Sequence, residues 1–147
     1  MINHPEAGPQ TPIQTILKPW GKEIWFAQTA NYAGKLLYVS KGKRLSLQYH
    51  ERKSETQYLF SGKIKFTFGK EQNNLQEIIL NPGDKFDISS YTIHRVEGLE
   101  DSIIFEVSTP ELDDIIKLAD DYGRSGQGNN FDLDAKLSHS NQNNKII

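Results

Sequence analysis

The sequence contains no cysteine, which excludes a disulfide framework, a thiolate metal site and a cysteine nucleophile. It has no apolar run near the roughly 18 residues that a membrane-spanning helix needs. The start, MINHPEAGPQTP, lacks the basic and apolar segments of a secretory signal. The net charge of −2 provides no basic footprint for nucleic acid. These absences predict a cytoplasmic protein with no membrane or nucleic-acid partner.

The composition indicates one folded unit with polar ends. The 147 residues suffice for a single domain, but only 36% are apolar and the mean hydropathy is −0.61. Residues 1–16 carry prolines and little periodicity, and residues 125–147 are rich in Gly, Ser, Asn and Gln. We therefore predict an extended arm over 1–16, a barrel over 17–124 and a polar, flexible tail over 125–147.

The middle of the chain contains a series of short strand-like segments. They are rich in β-branched and aromatic residues and are separated by Gly, Pro, Asn and Asp, which is typical of an all-β sandwich or barrel. Two turns lie between them, SGK at 61–63, interpreted as a hairpin, and NPGD at 81–84. We predict an antiparallel barrel whose interior can hold one small ligand. The predicted strands are KEIWFAQ, GKLLYVS, RLSLQYH, TQYLFSG, KIKFTFG, LQEIIL, DKFDIS, IHRVEG and SIIFEVS.

One short helix is predicted after Pro110, in the segment ELDDIIKLADDYG. Leu112, Ile115 and Leu118 recur at near-helical spacing, acidic residues open the first turn and Gly123 can end the helix. The predicted fold is therefore an all-β barrel with one short C-terminal helix.

Four polar residues in the strand-rich region could hold a metal ion. Gln48 and His50 leave the same face of one strand, Glu55 opens the next strand, and His94 opens a strand far along the chain. Two imidazoles, a carboxylate and a carboxamide oxygen suit a divalent ion such as zinc, iron, manganese or nickel. The alternative is that both histidines are ordinary hydrogen-bonded strand residues, and spacing alone leaves both readings open.

The alternation of side chains predicts other residues of the same cavity. Arg44 and Ser46 share the parity of Gln48 and would line the same wall. In SIIFEVS, Glu106 points into the barrel if Phe105 and its neighbours face outward. Burial would then raise the pKa of Glu106 towards that of a useful general base. The alternative is that this carboxylate pairs with a neighbouring lysine or arginine.

Two stretches resemble the conserved motifs of the cupin superfamily. They are residues 42–62, which contain RLSLQYHERKSE, and residues 81–98, NPGDKFDISSYTIHRVEG. Within the cupins, the sequence is most similar to the phosphomannose isomerase domain of the type II, bifunctional kind. KPWG at 18–21, IHR at 93–95 and DDYGR at 120–124 complete the resemblance in order and spacing.

The resemblance implies a single cupin domain, a double-stranded β-helix or jelly-roll barrel. It assigns one divalent metal ion, with zinc as the first choice, to Gln48, His50, Glu55 and His94. It also implies a sugar-phosphate isomerase that interconverts mannose 6-phosphate and fructose 6-phosphate by proton transfer through an enediol. The candidate residues are Glu106 and Arg124 for catalysis, and Lys35, Arg44, Ser46, Lys53 and Arg95 for binding the sugar phosphate.

The sequence departs from the cupin pattern beside these residues. Glu-Arg-Lys at 51–53 stands where the family has histidines, Thr-Gln at 56–57 replaces His-Trp, and Ser-Ser-Tyr at 89–91 replaces Pro-x-Gly. For Lys53 and Arg95, the alternative role is a solvated surface charge. Two other functions therefore stay open: a cupin that binds a sugar or sugar nucleotide without turnover, and a metal-dependent oxygenase. Cupins commonly pair through an edge strand or the N-terminal arm, so we expect a homodimer.

Overall fold

The fold is a barrel of two antiparallel sheets, seen in a computed structural model that describes residues 7–8 and 11–140. One sheet has the strand order β1-β2-β3-β10-β5-β8 and the other has the order β12-β11-β4-β9-β6-β7. The elements are β1 Gln14–Lys18, β2 Gly21–Gln28, β3 Ala33–Val39, β4 Leu47–Tyr49, β5 Glu55–Ser61, β6 Ile64–Gly69, β7 Gln76–Leu80, β8 Lys85–Ile88, β9 Ile93–Gly98, β10 Ser102–Ser108, β11 Ile116–Ala119, β12 Gly126–Gln127 and α1 Phe131–Ser140.

The hydrophobic core lies between the two sheets. Leu59 and Ile104 come from the first sheet and Phe66 and Val96 from the second, and all four are almost fully buried. These residues alternate with outward-facing positions along their strands, as a two-layer β fold requires. The predicted all-β barrel is confirmed, and each of the nine predicted strands is present.

The turn at 61–63 is present, but its interpretation as a hairpin is wrong. Strand β5 lies in the first sheet and β6 in the second, so the turn carries the chain from one sheet to the other. Both edges of β5 are already paired, with β10 and β8, which leaves β6 no place beside it. Gly62 has φ 91°, and a Cβ there would lie 2.3 Å from the Ser102 hydroxyl.

The helix predicted after Pro110 is also wrong in position. Ile116–Ala119 forms strand β11, which pairs with β4 and thereby satisfies the backbone groups of that short strand. This tertiary pairing overrides the helical spacing of the apolar residues. In the part of the chain that the structure describes, the one helix is α1, which lies in the segment predicted to be a flexible tail.

Helix α1 begins at a polar cap. The Asn130 side-chain oxygen accepts a hydrogen bond from the Leu133 backbone N–H at 3.1 Å, and Asp132 and Asp134 stand in the acidic first turn. The helix therefore starts for local reasons, although its apolar residues are few. Within the described residues, α1 is too short and too polar to cross a membrane, and no other helix could do so.

Half of the predicted N-terminal arm, residues 1–6 and 9–10, falls outside the described residues. Its last residues, from Gln14, belong to β1, which pairs with β2 at the edge of the first sheet.

Candidate metal centre

Three side chains from three different strand regions converge inside the barrel. His50 directly follows β4 and His94 lies in the neighbouring strand β9, whereas Glu55 begins β5 in the opposite sheet. The Glu55 Oε1 lies 3.2 Å from Nε2 of His94 and 3.6 Å from Nε2 of His50. One ligand atom from each residue falls within 4.8 Å of the others, and all three residues are buried. This donor set suits a borderline divalent ion.

Backbone carbonyls orient both imidazoles. The His50 Nδ1 lies 2.6 Å from the Asp114 carbonyl oxygen, and the His94 Nδ1 lies 2.9 Å from the Thr92 carbonyl oxygen. A carbonyl oxygen only accepts hydrogen bonds, so each ring carries its proton on Nδ1 and presents the Nε2 lone pair to the cavity. This is the arrangement that histidine ligands of metals require.

The Nε2 atom of His50 has no hydrogen-bond partner in the described part of the chain, although it is buried. A buried polar atom without a partner calls for an explanation. A metal ion held by His50, Glu55 and His94 would supply that partner, so the residues fit the metal that the sequence predicts.

The loop between His50 and Glu55 is held in place by one carboxylate. Asp114 accepts hydrogen bonds from the backbone N–H groups of residues 51, 52 and 53 at 3.1, 2.6 and 2.8 Å. These bonds fix the path of the chain between two of the three converging residues. The Asp114 carbonyl also holds the His50 ring, so this residue supports the site through two groups.

Gln48 lies beside the three residues but turns its amide nitrogen towards them. Its Nε2 is 3.5 Å from the His94 Nε2, and its Oε1 accepts a hydrogen bond from the Ser46 hydroxyl at 2.7 Å. Ligation through Oε1 would require the amide to rotate by half a turn. The Ser46 hydroxyl could then accept a hydrogen bond from the amide nitrogen, because a hydroxyl both donates and accepts.

A buried lysine links Glu55 to a second buried carboxylate. The Lys53 Nζ lies 2.9 Å from Glu55 Oε2 and 3.2 Å from Glu106 Oε2. Lys53 is only 4% exposed, so it is no solvated surface charge. Burial by itself would lower the pKa of Lys53, but the carboxylates of Glu106 and Glu55 outweigh burial and raise it, so the ammonium stays charged.

The two carboxylates have pKa values shifted in opposite directions. Burial tends to raise the pKa of Glu55, but the Lys53 ammonium and the neighbouring imidazoles of His50 and His94 hold it well below its usual range. Burial and the nearby Glu55 charge raise the pKa of Glu106. Glu55 is therefore ready as an ionised ligand, whereas Glu106 has the raised basicity of a proton-transfer group.

Glu106 both points into the cavity and pairs with a lysine, the two alternatives that the sequence left open. It points inward while Phe105 faces outward, and it pairs with Lys53. Gln57 also donates from Nε2 to Glu106 Oε1 at 3.2 Å. Sequence reasoning did not select Gln57, although its two-residue spacing from Glu55 on one strand was a signal for it.

The predicted substrate-binding residues divide into two groups. Lys35, Ser46, Lys53 and Arg95 line the same cavity as the two histidines. Arg44 is not among the lining residues, and its partly exposed guanidinium forms two hydrogen bonds to Asp121. The structure does not place Arg44 on the cavity wall as expected: Leu45 and Ser46 both line the cavity, so strict alternation does not extend back from β4 to residue 44.

Arg124 lines the cavity with its hydrogen bonds committed to carboxylates. Its Nε and NH2 groups bind Asp120 at 3.0 and 2.7 Å, and its NH1 group binds Asp134 of α1 at 3.1 Å. Asp134 in turn binds Lys18 at 2.7 Å. No local pattern in the sequence indicated Asp134, whereas Lys18 opened the KPWG motif without being assigned a role.

The altered turn before His94 keeps an unusual backbone conformation. Tyr91 has φ 63°, in the left-handed region that favours glycine, and it is the position where the resembling family has the glycine of Pro-x-Gly. Its N–H donates to the His50 carbonyl at 2.7 Å. The turn thus ties the segment before His94 to the segment after β4 despite the changed residues.

Comparison with known proteins identifies a family. The sequence matches the family model described as Mannose-6-phosphate isomerase C-terminal over residues 9–120, which is more than half of the chain. No curated protein matches the sequence.

Solved structures share the fold at low sequence identity. KdgF from Halomonas sp. has a TM-score of 0.57 at 22% identity, with 69% of this chain and 87% of that chain covered. The capsular polysaccharide assembling protein CapF from Staphylococcus aureus has 0.57 at 18%, covering 78% and 33%. Oxalate decarboxylase from Bacillus subtilis has 0.63 at 17%, covering 72% and 30%. The chain thus spans only about a third of the last two proteins.

Proposed function

The chain belongs to the family of mannose-6-phosphate isomerase C-terminal domains, which are cupins, and on this basis we propose that it is a metal-dependent sugar-phosphate isomerase. The reaction is the interconversion of mannose 6-phosphate and fructose 6-phosphate. The observation that carries the proposal is a metal-ligand triad whose two histidines line one cavity together with Glu106, a buried carboxylate of raised pKa.

His50, Glu55 and His94 would hold the metal ion, and a rotated Gln48 amide would add a fourth ligand. When bound, a divalent metal polarises the carbonyl of the open-chain sugar and lowers the cost of forming the enediol. The buried setting of the three residues keeps water from competing for this position.

Glu106 would act as the base that moves the proton between C2 and C1. The raised pKa brings its proton affinity closer to that needed at neutral pH, which favours both uptake and return of a proton. Lys53 and Gln57 each hold one carboxylate oxygen of Glu106, so they fix its orientation in the cavity. Lys53 would also donate to an oxygen on which negative charge develops.

The other lining residues would orient the substrate. The Ser46 hydroxyl and the Lys35 ammonium lie on the cavity wall and suit sugar hydroxyl groups. The Arg95 guanidinium lines the same cavity, with Nε bonded to the Leu45 carbonyl at 2.8 Å. These are the substrate contacts that we propose, and Arg44 is not among them because its guanidinium binds Asp121.

The test combines metal analysis with an isomerase assay on mannose 6-phosphate. The wild-type protein should carry about one metal ion per chain and form fructose 6-phosphate, and His50→Ala should lose both properties. Glu106→Gln should retain the metal and lose at least about a hundredfold in kcat. The matched control is Glu97→Gln, at a half-exposed glutamate of β9 that pairs with Lys65. A metal-loaded wild type that does not turn over the sugar phosphate would contradict the proposal.

A second candidate function is a cupin that binds a sugar phosphate without converting it. It is favoured by the Lys53 ammonium, which lies between Glu55 and Glu106 and forms an ion pair with each carboxylate. Saturable binding of mannose 6-phosphate without turnover would support this function. Oxygen consumption by the iron-loaded protein would instead support a metal-dependent oxygenase.

We further propose that two copies of the chain associate. Phe60 and Phe105 stack at 5.0 Å on the outer face of the first sheet, beside exposed Tyr58 and Val107. Burying this aromatic face against a second copy would remove apolar surface from water. Light scattering should give a dimer mass for the wild type and a monomer mass for Phe60→Lys. Ile79→Lys, an exposed position on the other sheet, should leave the mass unchanged, and a monomeric wild type would contradict the proposal.

A further inference from the structure

A second cluster of buried charges joins residues of the cavity wall to Asp134 of α1. Lys18 bonds to Asp134 at 2.7 Å and contacts Glu23 at 3.4 Å, and Arg124 bonds to the same Asp134. Asp134 is 1% exposed, so this helix residue is buried where it contacts the two cations. Lys18 and Arg124 both line the cavity that contains the metal centre.

Lys117 is the third cation of this cluster. Its ammonium donates to the Gly128 carbonyl at 2.6 Å, and within the described residues it pairs with no carboxylate. Burial lowers the pKa of Lys117, and repulsion from Arg124 and Lys18 lowers it further, against the smaller opposing effect of Asp134 and Asp120. Within the described residues, the segment 128–134, which leads into α1 and forms its start, supplies an acceptor to each of the three cations.

Without the Asp134 carboxylate, the net positive charge of this cluster would match the charge of a dianion. The cluster contains four cations and three carboxylates, and without Asp134 the excess would be two positive charges. A phosphate monoester carries about −1.5 to −2 at neutral pH. Its oxygens accept hydrogen bonds from arginine and lysine as a carboxylate does. The cations are Lys18, Lys35, Lys117 and Arg124, and the carboxylates are Glu23, Asp120 and Asp134.

Helix α1 is attached in a way that permits release. It has ten residues, fewer than the roughly 12 to 15 below which isolated helices are marginal in water. Its aromatic contact with the barrel is an edge-on approach of Phe131 to Trp25 at 5.7 Å, and Phe131 remains 43% exposed. The buried anchor is therefore the Asp134 carboxylate. The helix also lies beyond residue 120, where the match to the family model ends.

We propose that Lys18, Lys117 and Arg124 form a subsite for a phosphate group, and that Asp134 of α1 occupies this subsite until the ligand displaces it. The inference deepens the proposed function, because the phosphate of the sugar is the group that would bind there. Free inorganic phosphate has the same chemistry and would bind at the same place. Helix α1 is then a cover whose own carboxylate substitutes for the ligand.

Calorimetric titration with inorganic phosphate tests the subsite without requiring turnover. Asp134→Asn keeps the shape and removes the competing charge, so it should bind phosphate about tenfold more tightly than the wild type. Asp132→Asn makes the same charge change at an exposed residue of the same helix and should bind like the wild type. Adding Lys18→Met to Asp134→Asn should abolish the gain. Equal affinities of Asp134→Asn and the wild type would overturn the proposal.

Hydrogen exchange on the wild-type protein provides a second test that needs no variant. Saturating phosphate should speed exchange of the α1 amides over residues 131–138 and leave the core strands unchanged. Unchanged exchange in α1 would overturn the proposal even if Asp134→Asn fails to fold. Mannose 6-phosphate should bind more tightly than mannose, and inorganic phosphate should compete with it. Phosphate binding without isomerase activity would retain the subsite and reject the proposed function.

Discussion

The His50 Nδ1 lies 2.6 Å from the Asp114 carbonyl oxygen, a contact between residues 64 positions apart in the chain. The Asp114 carboxylate also accepts hydrogen bonds from three successive backbone N–H groups in the loop that leads from His50 to Glu55. One residue of the segment before β11 therefore positions two members of the metal-ligand triad. The site depends on this segment folding against β4.

Replacing Asp114 should weaken metal binding without removing a ligand. Asp114→Ala keeps the carbonyl that holds His50 but frees the loop over residues 51–53, and supporting contacts of this kind are worth about 10- to 100-fold in metal affinity. A competition titration with a zinc chelator measures the change. Asp113→Ala, at the exposed neighbouring carboxylate, should bind zinc like the wild type. Unchanged affinity of Asp114→Ala would mean that the loop keeps its path without these bonds.

Removing the Lys53 ammonium should destabilise the metal-free protein. Lys53→Met leaves Glu55 and Glu106 buried close together without their cation, and breaking a buried ion pair from one side costs about 3 to 5 kcal/mol. Urea unfolding of chelator-treated protein measures this loss. Zinc should restore part of the stability, because a bound cation replaces the missing charge. Lys41→Met, at an exposed lysine, should change the unfolding free energy by less than about 0.5 kcal/mol.

Glu23 should make stability fall in acid. Burial tends to raise the pKa of Glu23, but the ammonium groups of Lys35 and Lys18 hold it far below the ordinary value of 4.5. A lowered folded-state pKa contributes stability that is present above the unfolded value and is lost as pH falls towards the folded one. The advantage of the wild type over Glu23→Gln should therefore shrink below about pH 4.5.

Urea midpoints between pH 7 and pH 3 measure this difference. The exposed Glu71→Gln serves as the control and should show no such trend relative to the wild type. A constant gap between the wild type and Glu23→Gln across this pH range would show that the pairing with the two lysines does not control the titration.

Phe66 should stabilise both the core and the orientation of His94. Its ring is fully buried, packs 4.2 Å from the Phe86 ring and stacks on the His94 imidazole at 6.1 Å. Phe66→Ala should lower the unfolding free energy by about 3 to 5 kcal/mol. Thermal and urea unfolding check this, with the half-exposed Ile79→Ala as the control. A loss below about 1 kcal/mol would mean that the core closes over the space left by the ring.

Much of the barrel was predictable because strand signals are local. Side-chain alternation and turn residues operate over a few positions, and they located nine strands and the inward direction of Glu106. The same locality explains the errors. The 61–63 turn was recognised, but whether it joins two paired strands depends on the partners that β5 has already taken. The apolar residues near 116–119 have helical spacing, yet this segment forms a strand because it pairs with the edge of β4.

The candidate site was predictable to a similar extent. Gln48, His50, Glu55 and His94 were identified from residue type, strand position and resemblance, and the three ionisable ones do converge. Lys53 stands in a run of charged residues that resembles a solvated loop, and only the fold shows it buried between two carboxylates. Arg44 has the parity of Ser46, but strict alternation does not hold before β4, and Arg44 pairs with Asp121 instead.

The sequence by itself determined the residue types available for metal binding, the strand order along the chain and the face on which each strand residue stands. These follow from covalent geometry and the two-residue period of a strand. Only the tertiary structure decided which charges meet, because Coulomb and hydrogen-bond energies depend on distances between segments far apart in the chain. Residues 55 and 94 share one site and residues 18, 124 and 134 share another for that reason alone.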